Sequence, residues 1–252
     1  LASRCIPNTT HPAPGQRPAT GAKRMADFIN QFIFGVYPYV AGSIFIFGSL
    51  LRFERGQYTW RAMSSQILTP RSARFRYASV AFHVGVLLLF FGHLFGLLTP
   101  SWLYEGLGLT APAKQLAAMI AGGTFGLLCL LGITYLLWRR LFVPAVRVNS
   151  ASMDTFIICL IGLQLATGLG TIIVSTGHLD GHVMQQLAHW AQHIVTFQSG
   201  AQVYMQDVHW TYKTHVFLGM IMFTAFPFSR LVHVWSWPWA YTWRRYQIVR
   251  QH

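Results

Sequence analysis

Five apolar stretches of about 20 residues divide this chain, and each is long enough to cross the hydrocarbon core of a membrane as a helix. Hydrophobic residues make up 53% of the chain and charged residues only 10%, a balance too apolar for a soluble domain of this size. The sequence therefore predicts an all-α membrane protein, a five-helix transmembrane bundle within residues 25–252. The apolar segments cover roughly residues 29–51, 77–98, 115–137, 154–175 and 212–234.

The first part of the chain, residues 1–24, has a different composition. It is rich in Pro, Thr, Ala and Gly and lacks the apolar core of a signal peptide. We expect it to be a disordered N-terminal extension, with Met25 as the start of the transmembrane domain.

Basic residues are spread unevenly between the apolar segments. The net charge is +13, but the charges lie in separate connections rather than on one arm, which argues against nucleic acid as a partner. Most Lys and Arg residues lie between segments 1 and 2, between segments 3 and 4, and after segment 5, whereas the other two connections contribute only Lys114 and Lys213. The positive-inside rule then predicts an outer N-terminus and a cytoplasmic C-terminus.

Four of the 11 histidines fall within apolar segments: His83 and His93 in segment 2, and His215 and His233 in segment 5. A polar ring at membrane depth is costly and points to function. Six-coordinate haem takes two imidazoles from opposite sides of the iron, so four such rings predict two haems. No Cys-x-x-Cys-His motif is present, which makes them b-type. The alternative is a transporter or structural anchor that uses the histidines as a proton relay.

The antiparallel course of segments 2 and 5 predicts which rings pair. His83 meets His233 near the inner face, and His93 meets His215 near the outer face. The spacings differ, because ten residues of helix span about 15 Å and eighteen span about 27 Å. A kink at Pro227 is expected to absorb part of this mismatch.

Two further patterns concern helix packing. Apolar residues at helical spacing between segments 4 and 5 predict an amphipathic helix at the outer interface: Val183, Leu187, Trp190, Ile194 and Phe197. Glycines in segments 3 and 4 predict close helix contacts: Gly122, Gly126, Gly162, Gly168 and Gly170.

Two basic side chains have alternative interpretations. Arg230 lies three residues before His233, so it is a candidate partner for a propionate of the inner haem, and equally a positive-inside anchor. Lys114, taken by position alone, is a lone cation at a membrane interface, where lysines commonly extend toward water.

Long stretches from Met25 onward carry a resemblance to a known family: YPYVAG (37–42), LRFERGQYTWRAMSSQ (51–66), FHVGVLLLFFGHLFGLLTP (82–100), the Ala121-Gly122-Gly123 run, RRLFVP (139–144), WAQHIVTF (190–197), HVFLGM (215–220) and FPFSRLVHVWSWP (226–238). In these stretches the chain resembles the gamma subunit of membrane-bound respiratory nitrate reductase, a dihaem cytochrome b. The resemblance implies that His83 and His233 bind the inner haem and that His93 and His215 bind the outer one. It also implies a quinol site beside the outer haem, formed by Gly92, His93 and Lys114.

The resemblance further implies a function and partners. The chain would be a multi-pass subunit of the bacterial inner membrane, in contact with lipid, that oxidises quinol near the periplasmic face. Its two haems b would pass electrons to an iron–sulfur beta subunit, and a molybdenum-containing catalytic alpha subunit would reduce nitrate, both on the cytoplasmic face. The alternative is a cytochrome b subunit of another membrane oxidoreductase, of the hydrogenase or formate dehydrogenase type.

Overall fold

A computed structural model of the chain describes residues 21–56 and 72–236, which are almost entirely helical and contain no strand. A π-helical turn (Phe32–Val36) joins α1 to α2, and 3₁₀ turns cover Ala201–Met205, Phe226–Phe228 and Arg230–Ser236. The predicted all-α fold is confirmed for this part of the chain. The α-helices are α1 (Gly21–Gln31), α2 (Tyr37–Gly56), α3 (Ala73–Leu98), α4 (Ser101–Gly106), α5 (Ala111–Phe142), α6 (Pro144–Val148), α7 (Ser152–Ser175), α8 (His182–Val195) and α9 (Trp210–Ala225).

Among the described residues, four continuous helical stretches are long and apolar enough to cross a membrane: Gly21–Gly56, Ala73–Leu98, Ala111–Phe142 and Ser152–Ser175. A fifth crossing is available if the bent pair Trp210–Phe228 and Arg230–Ser236 counts as one span. These stretches correspond to the five apolar segments of the sequence. The first helix begins at Gly21, inside the segment assigned to the N-terminal extension, and residues 1–20 lie outside the described part of the chain.

The outer surface of the bundle is apolar. Large side chains on three different helices are mostly exposed, with Phe95 at 65%, Leu131 at 65% and Ile173 at 75%. A soluble monomer rarely exposes apolar surface on this scale. In contact with the hydrocarbon of a lipid bilayer, such a surface carries no free-energy penalty. The surface is that of a membrane-embedded bundle.

The fifth segment breaks where the sequence predicts a kink. Helix α9 ends at Ala225, because Pro227 has no N–H to continue the helical hydrogen bonds. The chain direction then changes by 76° between the stretch that ends at Phe228 and the 3₁₀ turn Arg230–Ser236. Backbone carbonyls released by such a break need donors inside a membrane. Arg52 of α2 supplies them, with its Nη1 donating at 2.7 Å to the carbonyl oxygens of Pro227 and Ser229.

Glycine allows close helix contacts in the bundle, but not mainly at the predicted positions. At Gly132 of α5, an added Cβ would lie 2.7 Å from both the Ala78 carbonyl oxygen and the Phe82 nitrogen of α3. The predicted glycines vary: a Cβ on Gly126 would meet a Leu169 methyl at 3.0 Å, whereas one on Gly162 would have no atom within 4 Å. The packing prediction is therefore right for Gly126 and wrong for Gly162.

This difference between glycines makes a direct stability prediction. Gly132→Ala is expected to destabilise the protein by about 1–3 kcal/mol, because a methyl group pressed against α3 backbone cannot be relieved by a rotamer change. Gly162→Ala is the matched control, since its new methyl group meets open space. Thermal unfolding in detergent measures both, and equal unfolding midpoints for the two variants would contradict the packing account.

The predicted amphipathic helix is present as α8, and its apolar side packs against the bundle. Trp190 is buried, and its Nε1 donates at 2.9 Å to the Phe34 carbonyl oxygen in the π-helical turn. Phe197 does not share this face, which corrects the sequence prediction. It lies beyond the end of α8 with φ of 56°, is 81% exposed, and stacks on Tyr39 at a ring separation of 5.7 Å.

Candidate functional site

The four histidines of the apolar segments occupy three structural elements. His83 and His93 lie on α3, His215 lies on α9, and His233 lies in the 3₁₀ turn Arg230–Ser236. The break at Pro227 therefore separates the environments of His215 and His233, although they belong to one apolar segment.

The structure brings His93 and His215 together. Their ring centroids are 6.0 Å apart, with an angle of 37° between the ring planes. A metal–imidazole bond is about 2 Å long and the ring centre lies about 1.1 Å behind the nitrogen, so two imidazoles on opposite sides of one metal ion stand about 6 Å apart. The separation of these two rings fits a shared axial position.

His83 and His233 are arranged differently. Among the described residues no ring contact joins them. Each ring instead makes a hydrogen bond to a backbone carbonyl oxygen three or four residues earlier in the chain. Nδ1 of His83 lies 2.6 Å from the Ser79 carbonyl oxygen, and Nδ1 of His233 lies 2.5 Å from the Arg230 carbonyl oxygen. Within residues 21–56 and 72–236, Nε2 of each of these rings has no hydrogen-bond partner.

Hydrogen bonding assigns a common tautomer to all four rings. A carbonyl oxygen can only accept, so Nδ1 of His83, His93 and His233 must carry the proton. For His93 the acceptor is the Leu89 carbonyl oxygen, at 2.7 Å. Metal-binding histidines commonly donate one ring N–H in this way, which fixes the ring and leaves the other nitrogen's lone pair for the metal.

His215 reaches the same tautomer through a side chain. Its Nδ1 lies 3.2 Å from the Thr167 hydroxyl oxygen. That hydroxyl also lies 3.0 Å from the Leu163 carbonyl oxygen and 3.1 Å from the Gln164 carbonyl oxygen. When its proton goes to either carbonyl, the hydroxyl presents only lone pairs to the ring, and Nδ1 of His215 is then the donor. The surface residue His209 provides a contrast, because its Nδ1 accepts from the Thr211 backbone N–H.

These rings fit haem better than a metal ion bound only by protein. Within residues 21–56 and 72–236, no group of three or more His, Cys, Asp or Glu side chains converges in a way that could hold a metal ion. Haem iron needs only two axial ligands from the protein. His93 and His215, whose ring centroids are 6.0 Å apart, can supply both.

The predicted quinol residues lie on α3 and α5. Lys114 is in the first turn of α5, and its ammonium nitrogen lies 4.0 Å from the centroid of the buried Tyr104 ring. Gly92 precedes His93, and a Cβ at Gly92 would have no atom within 4 Å. The structure gives Lys114 an aromatic partner, and in the described part of the chain it shows no contact between Lys114 and His93.

Arg230 has a partner that neither sequence interpretation foresaw. Its Nε lies 2.7 Å from a carboxylate oxygen of Asp154, the other oxygen of which lies 3.3 Å from Arg140 and accepts from the Ala151 backbone N–H at 3.1 Å. Asp154 is only 5% exposed. The carboxylate therefore ties together α5, α7 and the turn that carries His233.

Comparison with known proteins adds the family. The family model for the nitrate reductase gamma subunit matches residues 30–252. The chain belongs to this family. The resemblance predicted from the sequence is thereby confirmed, and the hydrogenase or formate dehydrogenase alternative is not the family that matches.

Individual relatives align with this gamma subunit over most of their length. It is 49% identical over 223 residues to the respiratory nitrate reductase 1 gamma chain of Escherichia coli (strain K12), covering 88% of this chain and 98% of that relative. Identity to the respiratory nitrate reductase 2 gamma chain of the same organism is 47% over 226 residues, covering 90% and 99%. Identity to the nitrate reductase gamma chain of Bacillus subtilis (strain 168) is 30% over 221 residues, covering 88% and 98%.

Sequence reasoning missed three residues at the gamma subunit's candidate site. Asp154 and Gln164 could have been identified from the sequence, because an acid at the edge of an apolar segment and an amide within it are both costly unless they have partners. Thr167 could not, since a threonine hydroxyl in a membrane helix is ordinarily satisfied by its own backbone. Only the approach of α9 shows that Thr167 has a second role.

Proposed function

We propose that this gamma subunit is the quinol-oxidising cytochrome b of a respiratory nitrate reductase, with an inner haem held by His83 and His233 and an outer haem held by His93 and His215. The observation that carries the proposal is the pair of facing rings, His93 and His215. Their centroids are 6.0 Å apart, and Nδ1 of each ring is engaged in a hydrogen bond. When bound, each haem accepts and passes on one electron at a time.

The arrangement of charges supports the proposed orientation. Arg52, Arg140 and Arg230 all lie at the end of the bundle where the fifth segment breaks, through their contacts with Pro227, Ser229 and Asp154. This end would face the cytoplasm by the positive-inside rule, with the iron–sulfur beta subunit and the molybdenum-containing alpha subunit docked on it. His93, His215 and Lys114 would then lie toward the periplasm, with the N-terminus on that side.

The chain's own residues define what the quinol site can do. Quinol loses two electrons and two protons on becoming quinone. An ammonium has three N–H donors, so Lys114 can keep its contact with the Tyr104 ring and still donate to a quinol oxygen, where charge grows as the proton leaves. His93 cannot accept that proton, because its Nδ1–H bonds to Leu89 and its Nε2 would bind iron. The protons therefore pass to water at the outer face.

A reduced-minus-oxidised absorption spectrum of membranes that contain the assembled complex tests the proposal. Two b-type components reduced by a quinol analogue and reoxidised by nitrate are expected. A complex without a b-type signal would refute the proposal and leave an anchoring role for the gamma subunit.

Lys114→Ala is expected to slow quinol-driven haem reduction by about tenfold or more while both haems stay bound, since a hydrogen bond from a charged donor contributes roughly 1.5–3 kcal/mol. The measurement is stopped-flow reduction of the haems by a quinol analogue, with haem content determined in parallel. Lys213→Ala is the matched control, because the Lys213 ammonium donates to the Gln206 carbonyl oxygen and leaves its helix on the face opposite His215. A wild-type rate in Lys114→Ala would remove Lys114 from the site.

A further inference from the structure

Helix α7 contacts the His215 ring through three residues that share one helix face: Gln164, Thr167 and Gly168. They occupy positions i, i+3 and i+4, which adjoin on a helix surface. Nε2 of Gln164 lies 3.4 Å from Nε2 of His215, and the Thr167 hydroxyl lies 3.2 Å from Nδ1 of the same ring. The site predicted from the sequence did not include α7 or these three residues.

Gly168 lets the ring lie against the helix backbone. A Cβ at this position would come within 2.9 Å of Cε1 and 3.4 Å of Nδ1 of His215. Other glycines of α7 are not constrained in this way, since a Cβ on Gly170 would meet only a Thr211 methyl at 3.7 Å and one on Gly162 would meet nothing within 4 Å. Of these three glycines, Gly168 is therefore the one whose missing side chain makes room for the His215 ring.

We propose that Thr167 and Gly168 are positioning residues for the outer haem: Thr167 fixes the tautomer of His215, and Gly168 fixes the distance and tilt of its ring. The inference rests on the proposed function, in which His215 is an axial ligand. Gln164 is not included, because its contact is with the nitrogen that would bind iron and so cannot persist in the loaded protein.

The hydrogen bond to Thr167 has an electronic consequence. An acceptor on Nδ1–H makes the imidazole a stronger electron donor, which favours ferric over ferrous iron. Thr167→Val removes the acceptor while keeping the side chain's shape, so the midpoint potential of the outer haem should rise. A tenfold change in the oxidised-to-reduced equilibrium corresponds to about 59 mV for one electron.

The test uses the assembled complex and a redox titration of each haem, with low-spin ferric haem signals recorded by electron paramagnetic resonance. Thr167→Val should raise the outer potential and shift its resonance while the inner haem keeps both values, and Thr167→Ser should restore them. Thr171→Val is the matched control, because the Thr171 hydroxyl donates to the Gly168 carbonyl oxygen and has no histidine partner among the residues that the structure describes. Gly168→Ala should lower outer-haem occupancy about tenfold, whereas Gly162→Ala should not.

The outcomes separate this inference from the proposed function. Wild-type potentials and spectra for both haems in Thr167→Val would overturn the positioning role while leaving the quinol-oxidising function in place. An equal shift of both haems would overturn it as well, since a general disturbance of the bundle would then be the cause. A wild-type complex that contains no haem would overturn the proposed function itself, and this inference with it. If Gly168→Ala fails to assemble, Thr167→Val alone decides.

Discussion

His215→Ala is expected to remove the outer haem and leave the inner haem bound, so that the complex would retain roughly half of its haem b. The reason is that in the proposed function each iron would depend on its own pair of axial imidazoles, and His215 faces His93 while His233 lies beyond the 76° break. Pyridine haemochrome quantification gives the total, and redox titration shows which component remains. Electron entry from quinol should be abolished, because the retained haem is the one farther from the quinol site.

His178→Ala is the control for this experiment, since His178 is exposed in the loop between α7 and α8 and its side chain has no described hydrogen bond. The proposed ligand pairs also predict the results for the other histidine variants. His93→Ala must reproduce the loss pattern of His215→Ala, and His83→Ala must not. The same haem component missing from His83→Ala and His93→Ala would show that the pairing is wrong.

Asp154→Asn is expected to destabilise the inner half of the bundle. The substitution leaves Arg140 and Arg230 beside each other without a carboxylate, and it frees the turn whose Arg230 carbonyl oxygen accepts from His233. Breaking a fully buried pair costs about 3–5 kcal/mol. The side chain of Arg230 is 40% exposed, so a cost on the order of 2 kcal/mol is expected here.

That cost should be visible in two measurements. The unfolding midpoint should fall by roughly 4–8 °C, and the inner haem should be lost or shifted in potential while the outer haem is unchanged. Asp180→Asn is the matched control, because Asp180 is exposed and, in the described part of the chain, its carboxylate accepts from the His182 backbone N–H alone. Loss of the outer haem first, or no change in either measurement, would show that Asp154 does not hold the His233 turn.

The sequence by itself determined the features that depend on local composition. Segment length against bilayer thickness predicts the spans, because each apolar run must cover about 30 Å. The four intramembrane histidines stand out because a polar ring in hydrocarbon is costly. The break in the fifth segment follows from the covalent structure of Pro227. None of these inferences needs to know which residues meet.

Tertiary structure decided the features that join distant parts of the chain. Gly132 rather than Gly162 makes a close helix contact, because helix rotation decides which glycine faces a neighbour and a glycine count does not. Phe197 left the face of α8 because periodicity does not mark where a helix ends. Thr167 and Asp154 acquired their partners, His215 and Arg230, only when α7 packed beside α9 and the turn that follows it. The antiparallel course of the segments is enough to place His93 near His215, but contacts such as these depend on how each helix rotates and docks, which local sequence patterns do not specify.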